Sequence, residues 1–214
     1  MPTTPPTPAP DAALTARTLA HYQRSAQAFW TGTRDHDVSQ NRDALLRHLA
    51  ARRGPGPYRI PDLGCGPGRD LHAFAALGHA ATGLDGCTAF CEMARAHSGC
   101  PVWEQDFLRL DLPAGGFDGV FANASLFHVP RAALQGVLAA LHATLAPGGV
   151  LFTSNPHGGG EEGWSGERWG VFHSPAAWVQ AVCNAGFGVL EEYFRPPGLP
   201  RARQPWHAAV FGRN

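Results

Sequence analysis

The amino-acid sequence predicts a doubly wound α/β fold, with a mostly parallel seven-stranded sheet and helices on both of its faces. Short apolar segments alternate with longer helix-like segments along most of the chain, a glycine-rich turn follows the first of them, and aspartates stand at three successive strand ends. This alternation is typical of βαβ units, in which crossover helices connect parallel strands.

The elements follow from apolar patterning and from the residues that interrupt it. Residues 54–57 (Gly-Pro-Gly-Pro) end a helix whose Leu45 and Leu49 share one face, and residues 147–149 (Pro-Gly-Gly) form the turn before the fifth strand. Ser174 as N-cap and Pro175 in the first turn start the last helix. We expect strands at 58–63, 81–84, 102–103, 117–122, 150–153, 187–193 and 206–211. We expect helices at 14–30, 38–53, 69–77, 87–97, 131–145 and 174–185.

The domain organisation is simple. Residues 1–12 are Pro-rich and predict a disordered tail, and residues 13–214 predict a single domain whose first part, 13–54, is helical. Residues 155–173 carry six glycines and two tryptophans without clear periodicity, so we expect a long loop that acts as a lid.

Composition excludes several classes of function. All 17 basic residues are arginines, and a chain without lysine supports neither Schiff-base chemistry nor a Walker-type phosphate loop. The net charge of zero argues against a nucleic-acid partner. The five cysteines form no C-x-x-C pair, which predicts neither a disulfide framework nor a metal site. No stretch resembles a signal peptide or a membrane span, so we expect a soluble cytoplasmic protein that acts on a small molecule.

The glycine-rich turn, residues 62–68 (Asp-Leu-Gly-Cys-Gly-Pro-Gly), lies where a predicted strand becomes a helix, the position at which doubly wound folds bind nucleotides. Its spacing is G-x-G-x-G and differs from the dinucleotide pattern G-x-G-x-x-G. A tight turn without a ligand is the alternative reading. The cofactor-binding candidates in this turn are Asp62, Gly64, Cys65, Gly66 and Gly68.

Two further aspartates follow the next two predicted strands. Asp85, followed by Gly86, can accept hydrogen bonds from both ribose hydroxyls of a nucleoside. Asp106 can accept from an adenine amino group while Phe107 packs on the ring. Three carboxylates would repel a pyrophosphate and suit an adenosine attached to a cationic sulfonium amino acid. A helix cap is the alternative role for either Asp85 or Asp106 taken singly.

Together with residues 117–118 (Phe-Asp) and 145–149 (Leu-Ala-Pro-Gly-Gly), these segments resemble class I S-adenosylmethionine (SAM) methyltransferases. The resemblance implies the Rossmann-like class I methyltransferase fold, SAM as cofactor and S-adenosylhomocysteine as its product.

A narrower resemblance covers residues 22–206 almost continuously. The matching segments, 29–41, 64–71, 105–108, 121–130, 154–156, 162–168, 195–201 and 204–206, are similar to the C-terminal methyltransferase domain of the bifunctional ovothiol-biosynthetic enzyme. That resemblance implies methyl transfer to the imidazole π-nitrogen of 5-thiohistidine (4-mercaptohistidine), or of its selenium analogue 5-selenohistidine. A separate sulfoxide synthase and a lyase, or a selenium-incorporating enzyme, would supply the acceptor. Pro61 within a central strand and His157, where the family pattern has Arg, depart from the resemblance.

A thiohistidine acceptor requires a site that aims the ring nitrogen, and not the anionic sulfur, at the methyl group. The segment after the fourth strand supplies the catalytic candidates: Asn123 as a contact to cofactor or acceptor, and His128 as an orienting group or weak base, with a structural histidine as the alternative. Tyr22 is expected to close over the cofactor or else to pack in the core. The substrate-binding candidates are His36, Gln40, Asn41, Phe127, Asn155, Trp164, Arg168 and Arg195.

Among these candidates, Arg168 is the first choice and Arg195 the second for clamping an amino-acid carboxylate, with a surface ion pair as the alternative for each. Three other functions remain open: methylation of another small acceptor, a SAM-binding accessory protein without catalysis, and a nicotinamide oxidoreductase, which the glycine spacing disfavours.

Overall fold

A computed structural model describes residues 10–213, and seven of its strands form one sheet. The strands are β1 (Arg59–Leu63), β2 (Ala80–Asp85), β3 (Val102–Glu104), β4 (Phe117–Asn123), β5 (Leu145–Pro156), β6 (Glu161–Ser165), β7 (Arg168–Phe172), β8 (Phe187–Arg195) and β9 (Trp206–Arg213). The sheet order is β3-β2-β1-β4-β5-β9-β8, and β6 and β7 form a separate two-stranded sheet. Strands β1 to β5 are parallel, whereas β9 runs antiparallel to both β5 and β8. The predicted fold class is confirmed.

Helices cover both faces of this sheet. They are α1 (Pro10–Thr33), α2 (Ser39–Arg53), α3 (Arg69–Ala76), α4 (Thr88–Ser98), α5 (Leu134–Thr144) and α6 (Pro175–Asn184). Side chains of α2, α3 and α4 pack on one face of the sheet, and side chains of α5 and α6 pack on the other. Close approach of α2 requires Gly119 in β4, because a Cβ there would lie 2.8 Å from Leu49 Cδ1.

The sheet order places a crevice beside the carboxyl ends of β1 and β4. Chain order reverses between these two strands, and ligands of open α/β sheets bind at such a switch point. Pro61 lies in β1 next to Thr82 of β2. On the β4 side, β1 has the single registered pair Asp62 and Phe121, and the Arg59 N–H donates to the Asp118 carboxylate instead of to a carbonyl of β4. The small number of registered pairs between β1 and β4 is consistent with a proline in a central strand, because proline has no N–H to donate to a neighbouring strand.

Two predicted boundaries are wrong. The tail predicted over residues 1–12 is helical from Pro10 onward, while residues 1–9 lie outside the described residues. A proline fits the first turn of a helix because its missing N–H has no intrahelical partner there, and the acidic Asp11 favours the positive end of the helix dipole.

The loop predicted over residues 155–173 is largely a β-hairpin. β5 continues to Pro156, and β6 and β7 pair around a two-residue turn in which Gly166 has φ 63°. Trp164 and Trp169 are directly opposite each other in this hairpin, with ring centroids 5.3 Å apart. Pairing of the two aromatic rings across the strands stabilises the hairpin. The glycines in this segment obscure the alternation of apolar and polar residues that would indicate strands in the sequence. Among residues 10–213, no helix has the length and apolar character needed to cross a membrane.

Candidate active site

The glycine turn connects β1 to α3 through left-handed backbone. Gly64, Gly66 and Gly68 have φ values of 74°, 52° and 92°. A Cβ on Gly64 would lie 2.4 Å from Ser125 Cβ, and a Cβ on Gly68 would lie 2.8 Å from Ala94 Cα. Close packing therefore explains the absence of side chains at Gly64 and Gly68, and it brings the segment after β4 against the turn.

A cleft with about 700 Å³ of empty space lies over this turn, at the carboxyl edge of the sheet. Its floor includes the cofactor-binding candidates Gly64, Gly66, Asp85, Gly86, Asp106 and Phe107. Helix α1 crosses above them and contributes Thr15, Thr18, Leu19, Tyr22 and Phe29. Ala124, Ser125 and His128 close the side next to β4. Carboxylates, small residues and aromatic rings thus converge at the sheet edge where open α/β sheets bind their ligands.

Asp85 is held at the end of β2 by two backbone hydrogen bonds. Its Oδ2 accepts the N–H of Gly66 at 3.0 Å, and its Oδ1 accepts the N–H of Cys87 at 2.9 Å. Burial raises the pKa of Asp85 to about 6, although these hydrogen bonds oppose the shift. The carboxylate has lone pairs left for donors in the cleft.

Asp106 has a comparable position after β3. Its Oδ1 accepts the N–H of Leu108 at 2.9 Å and caps the short 3₁₀ helix Phe107–Arg109. Both aspartates thus have a local structural role and also line the cleft, so the capping and ligand-binding interpretations are compatible.

Four of the predicted cofactor residues do not line the cleft: Asp62, Cys65, Gly68 and Asn123. Asp62 is 3% exposed, and its Oδ2 has no partner among residues 10–213. Burial, together with the nearby charge of Asp70, raises the pKa of Asp62 well above its usual range. Burial also raises the pKa of the Cys65 thiol, which keeps this side chain neutral.

His128 joins α1 to the hairpin with both of its ring nitrogens. Nε2 lies 2.9 Å from the Tyr22 hydroxyl, and Nδ1 lies 2.5 Å from the carbonyl oxygen of Trp169. A carbonyl only accepts, so Nδ1 carries the proton and Nε2 accepts from the Tyr22 O–H. Burial lowers the pKa of His128 to about 4. The ring is therefore neutral, two hydrogen bonds fix its orientation, and the lone pair of Nε2 accepts the Tyr22 hydroxyl.

Arg168 and Phe127 lie beside this histidine. The charge of Arg168 contributes to the lowered pKa of His128, and its interaction with the Tyr22 hydroxyl opposes the rise that burial causes in the pKa of Tyr22. The Phe127 ring centroid is 3.9 Å from that of His128. Arg168 forms no salt bridge within the part of the chain that the structure describes, and neither Arg168 nor Phe127 lines the cleft itself.

Asn123, at the end of β4, is hydrogen bonded to Asn41 of α2. Asn41 Nδ2 donates to Asn123 Oδ1 at 2.9 Å, and Asn41 Oδ1 accepts from the Tyr193 hydroxyl at 2.9 Å. This contact joins two candidates from segments 82 residues apart.

The other substrate candidates are dispersed. His36 and Gln40 are exposed near the start of α2. Trp164 is 38% exposed, and the Arg17 guanidinium lies 4.2 Å from its ring centroid.

Arg195 donates to the Asp37 carbonyl at 2.8 Å, at the far end of β8. Asn155 is 7% exposed, and neither its Oδ1 nor its Nδ2 has a partner among the described residues. An unpaired buried amide favours a polar ligand or water at that position.

Of the side chains that α1 contributes to the roof of the cleft, the sequence analysis named Tyr22 and missed the others. Thr15, Leu19 and Tyr22 lie at i, i+4 and i+7 on one face of α1 and line the cleft together with Thr18. Thr18 Oγ1 also accepts the N–H of Trp169 at 2.9 Å, which fastens the helix to the hairpin. The helical spacing was visible in the sequence, but nothing local indicated that Thr15, Thr18 and Leu19 cover the cleft together with Tyr22.

Comparisons with known proteins agree with this geometry. Residues 60–149 match the family model described as methyltransferase domain. The chain is 35% identical over 148 residues to a ubiquinone biosynthesis O-methyltransferase of Xanthomonas axonopodis pv. citri, over 66% of this chain and 55% of that protein. It is 30% identical over 162 residues to a trans-aconitate 2-methyltransferase of Paracidovorax citrulli, over 69% of this chain and 59% of that protein.

Among solved structures, the fold is similar to that of the 1,6-didemethyltoxoflavin-N1-methyltransferase of Burkholderia thailandensis, with bound 1,6-didemethyltoxoflavin and S-adenosylhomocysteine. The TM-score is 0.75 at 22% identity, over 100% of this chain and 94% of that one. The predicted Rossmann-like fold is thereby confirmed, and within it residues 60–149 match the methyltransferase domain model. The chain spans little more than half the length of the curated relatives that it matches.

Proposed function

We propose that this chain is a SAM-dependent N-methyltransferase that methylates the imidazole π-nitrogen of 5-thiohistidine or of 5-selenohistidine. The observation that carries the methyltransferase proposal is the cleft in which Asp85 and Asp106 both line the floor below α1. The acceptor proposal rests on the resemblance to the ovothiol-biosynthetic methyltransferase domain, whose matching segments include Asn123, His128 and Arg168.

The residues of the cleft fit SAM. Asp85 offers carboxylate oxygens to the ribose hydroxyls, Asp106 offers one to the adenine amino group, and Phe107 offers its ring to the adenine. The Ser125 hydroxyl lines the same cleft and is buried without a partner among residues 10–213, which suits a polar ligand. When bound, SAM supplies an electrophilic methyl group on a sulfonium, and the chain's own residues position the acceptor.

On the acceptor side, the chain's contribution is orientation. A methyl transfer from a sulfonium is an in-line displacement, so its rate depends on holding the nucleophilic nitrogen close to the methyl carbon. We assign the guanidinium of Arg168 to the acceptor carboxylate, because this side chain is half-buried beside His128 and forms no salt bridge within residues 10–213. Asn155, with its unpaired amide, is a second polar contact.

His128 orients Tyr22 and the hairpin in this proposal and removes no proton. Its Nε2 is engaged by the Tyr22 hydroxyl, and its pKa of about 4 makes it a poor base near neutral pH. A base is also unnecessary when the acceptor ring is neutral and the sulfur or selenium carries the negative charge. The π-nitrogen lone pair then takes the methyl group, the electron pair of the broken carbon–sulfur bond stays on sulfur, and the charges of acceptor and sulfonium cancel.

The test uses purified full-length protein with SAM and a panel of acceptors: 5-thiohistidine, 5-selenohistidine, histidine, a simple thiol and a carboxylic acid. Mass spectrometry and NMR should show one added methyl on the π-nitrogen of the first or second acceptor. SAM binding without methylation of either would refute the acceptor assignment, and turnover of another panel member would replace it. The fold neighbour from Burkholderia thailandensis is named as an N1-methyltransferase, whereas the Xanthomonas relative is named as an O-methyltransferase, so the panel includes both nitrogen and oxygen nucleophiles.

A non-catalytic SAM-binding role is the remaining alternative. Calorimetry that shows SAM binding, with no turnover on any acceptor, would favour it. Under the main proposal a separate sulfoxide synthase with a lyase, or a selenium-incorporating enzyme, supplies the acceptor.

A further inference from the structure

The hairpin formed by β6 and β7 is held in place by contacts at its base and at its tip. It is not part of the seven-stranded sheet, and an isolated two-stranded hairpin has little stability of its own. At the base, Arg131 Nε donates to Glu162 at 3.3 Å, and Arg131 Nη2 donates to the Gly160 carbonyl at 2.7 Å. At the tip, the two-residue turn contacts α1 through Glu167. The position of the hairpin therefore depends on its neighbours.

Glu167 binds two side chains of α1. Arg24 Nη2 lies 3.0 and 2.9 Å from the two carboxylate oxygens, and His21 Nδ1 lies 3.2 Å from Oε2. A carboxylate only accepts, so Arg24 and His21 both donate. Their hydrogen bonds lower the pKa of Glu167, which therefore keeps its charge near neutral pH. We call these three side chains, Glu167, Arg24 and His21, the latch.

The latch lies beside the part of α1 that covers the cleft. Thr18, Leu19 and Tyr22 line the cleft from above, and they are close in sequence to the two α1 residues of the latch. Thr18 Oγ1 also accepts the N–H of Trp169 in the hairpin. The hairpin thus contacts the same stretch of α1, residues 18–24, that forms the roof.

The contact of α1 with α4 is of a different kind. Ala26 and Phe90 belong to a buried apolar cluster between these helices, and Gln23 Oε1 accepts the N–H of Ala89 at 3.0 Å. Burial of apolar surface stabilises this contact. The guanidinium and carboxylate side chains of the latch, in contrast, are 59% and 51% exposed. Less free energy is therefore needed to separate α1 from the tip of the hairpin than to separate it from α4.

We propose that Glu167 is a positioning residue whose latch holds α1 closed over the bound cofactor, and that release of the latch allows SAM and S-adenosylhomocysteine to exchange. An exposed ion pair contributes little to global stability. It contributes a larger share of the free energy of a local opening, because such an opening breaks few contacts. The inference concerns the cofactor alone and goes beyond the proposed function, since it does not depend on which acceptor is methylated.

The test measures the dissociation rate of S-adenosylhomocysteine from the full-length protein by surface plasmon resonance. Glu167→Gln keeps the shape of the side chain and removes its charge. We expect dissociation to become about threefold to fivefold faster, because the closed position of α1 loses the ion pair while the residues that line the cleft are unchanged. Arg24→Glu should have a similar effect, and combining it with Glu167→Arg should restore the wild-type rate by reversing both charges.

Glu162→Gln is the matched control. Glu162 belongs to the same hairpin and forms an ion pair with Arg131, but it has no hydrogen bond or salt bridge to α1 among residues 10–213. This variant should release S-adenosylhomocysteine at the wild-type rate. Thermal unfolding reports whether each variant is folded.

Salt dependence tests the latch without mutation. Dissociation from the wild-type protein should become faster as the salt concentration rises from about 50 mM to about 1 M, because salt screens exposed charges. Dissociation from Glu167→Gln should respond less. A wild-type rate that does not change with salt would contradict the proposal.

The remaining outcomes are equally decisive. An unchanged rate in Glu167→Gln refutes the latch. Equal acceleration by Glu162→Gln also refutes it, because the stability of the hairpin, and not its contact with α1, would then control release. A protein that binds S-adenosylhomocysteine but methylates neither thiohistidine nor selenohistidine refutes the acceptor proposal alone, and the dissociation rates still decide the latch.

Discussion

The two ends of the cleft are built in different ways. At the cofactor end, the turn at 64–68 and the carboxylates of Asp85 and Asp106 are positioned by backbone: each lies directly after a parallel strand, and its hydrogen bonds span only a few residues or one βα unit. At the end that the proposed function assigns to the acceptor, the contacts join side chains from remote segments. Tyr22 and His128 are separated by 106 residues, and Tyr193 and Asn41 by 152.

This difference indicates which end of the cleft can change its residues, and with them the acceptor specificity, without loss of the fold. The cofactor end depends on the sheet and cannot change without disturbing it, whereas each contact at the acceptor end can be altered singly. We therefore expect substitutions at the cofactor end to abolish SAM binding, and substitutions at the acceptor end to have smaller effects on rate, selectivity or stability.

The largest effect is expected for Asp85→Ala. The change removes a carboxylate that accepts two backbone N–H groups, lines the cleft and is assigned to the ribose hydroxyls in the proposed function. Loss of charge-assisted hydrogen bonds should weaken SAM binding by about a hundredfold or more in calorimetry. Asp35→Ala, at an exposed aspartate beside Arg34, is the control and should bind SAM like wild type. Wild-type affinity in the Asp85 variant would contradict the assignment of the cofactor end.

The pH dependence of SAM binding tests the same residue without mutation. The carboxylate of Asp85 must be ionised to accept two donors, and its pKa is raised to about 6 in the folded protein. Affinity should therefore be constant above about pH 7 and fall by up to about tenfold per pH unit below the folded pKa, since one proton must then be released on binding. A calorimetric profile that is flat between pH 7 and 5 would show that no ligand group depends on this carboxylate.

A smaller effect is expected for His128→Asn at the acceptor end. The shorter amide can still donate toward the Trp169 carbonyl, but it loses the contact with Tyr22. We expect kcat to fall by less than about tenfold, in keeping with the loss of one or two hydrogen bonds, without a change in the shape of its pH profile. A fall of a thousandfold would instead identify His128 as the base.

The smallest effect concerns the link between α1 and the hairpin. Thr18→Val is nearly isosteric and removes the oxygen that accepts the Trp169 N–H. The free energy of unfolding should fall by about 1 kcal/mol, the usual contribution of such a bond, and SAM should dissociate faster. Thr31→Val is the matched control, because its hydroxyl only bonds to the Gln27 carbonyl within the same helix. Equal effects of the two substitutions would show that the link does not hold the roof in place.

Much of the fold and half of the site could be predicted from the sequence. The strand and helix positions, the glycine turn, Asp85 and Asp106 were identified because their roles follow from neighbours in the chain. The hairpin at 161–172 was missed because its strands are short and glycine-rich, and the contacts that support it come from α1 and from residues 126–128. The start of α1 was missed because a proline-rich stretch was interpreted by composition and not by its place at a helix terminus.

The sequence by itself determined the sheet, the turn and the carboxylates at strand ends, because parallel strands place their carboxyl ends at one edge whatever lies around them. Tertiary structure alone decided that α1 is fastened to the hairpin, that His128 is neutral with both nitrogens engaged, and that Tyr193 and Asn123 both contact Asn41. These features could not be predicted from the sequence because burial and hydrogen-bond partners depend on groups that come together only when the chain folds. No local sequence pattern indicates them.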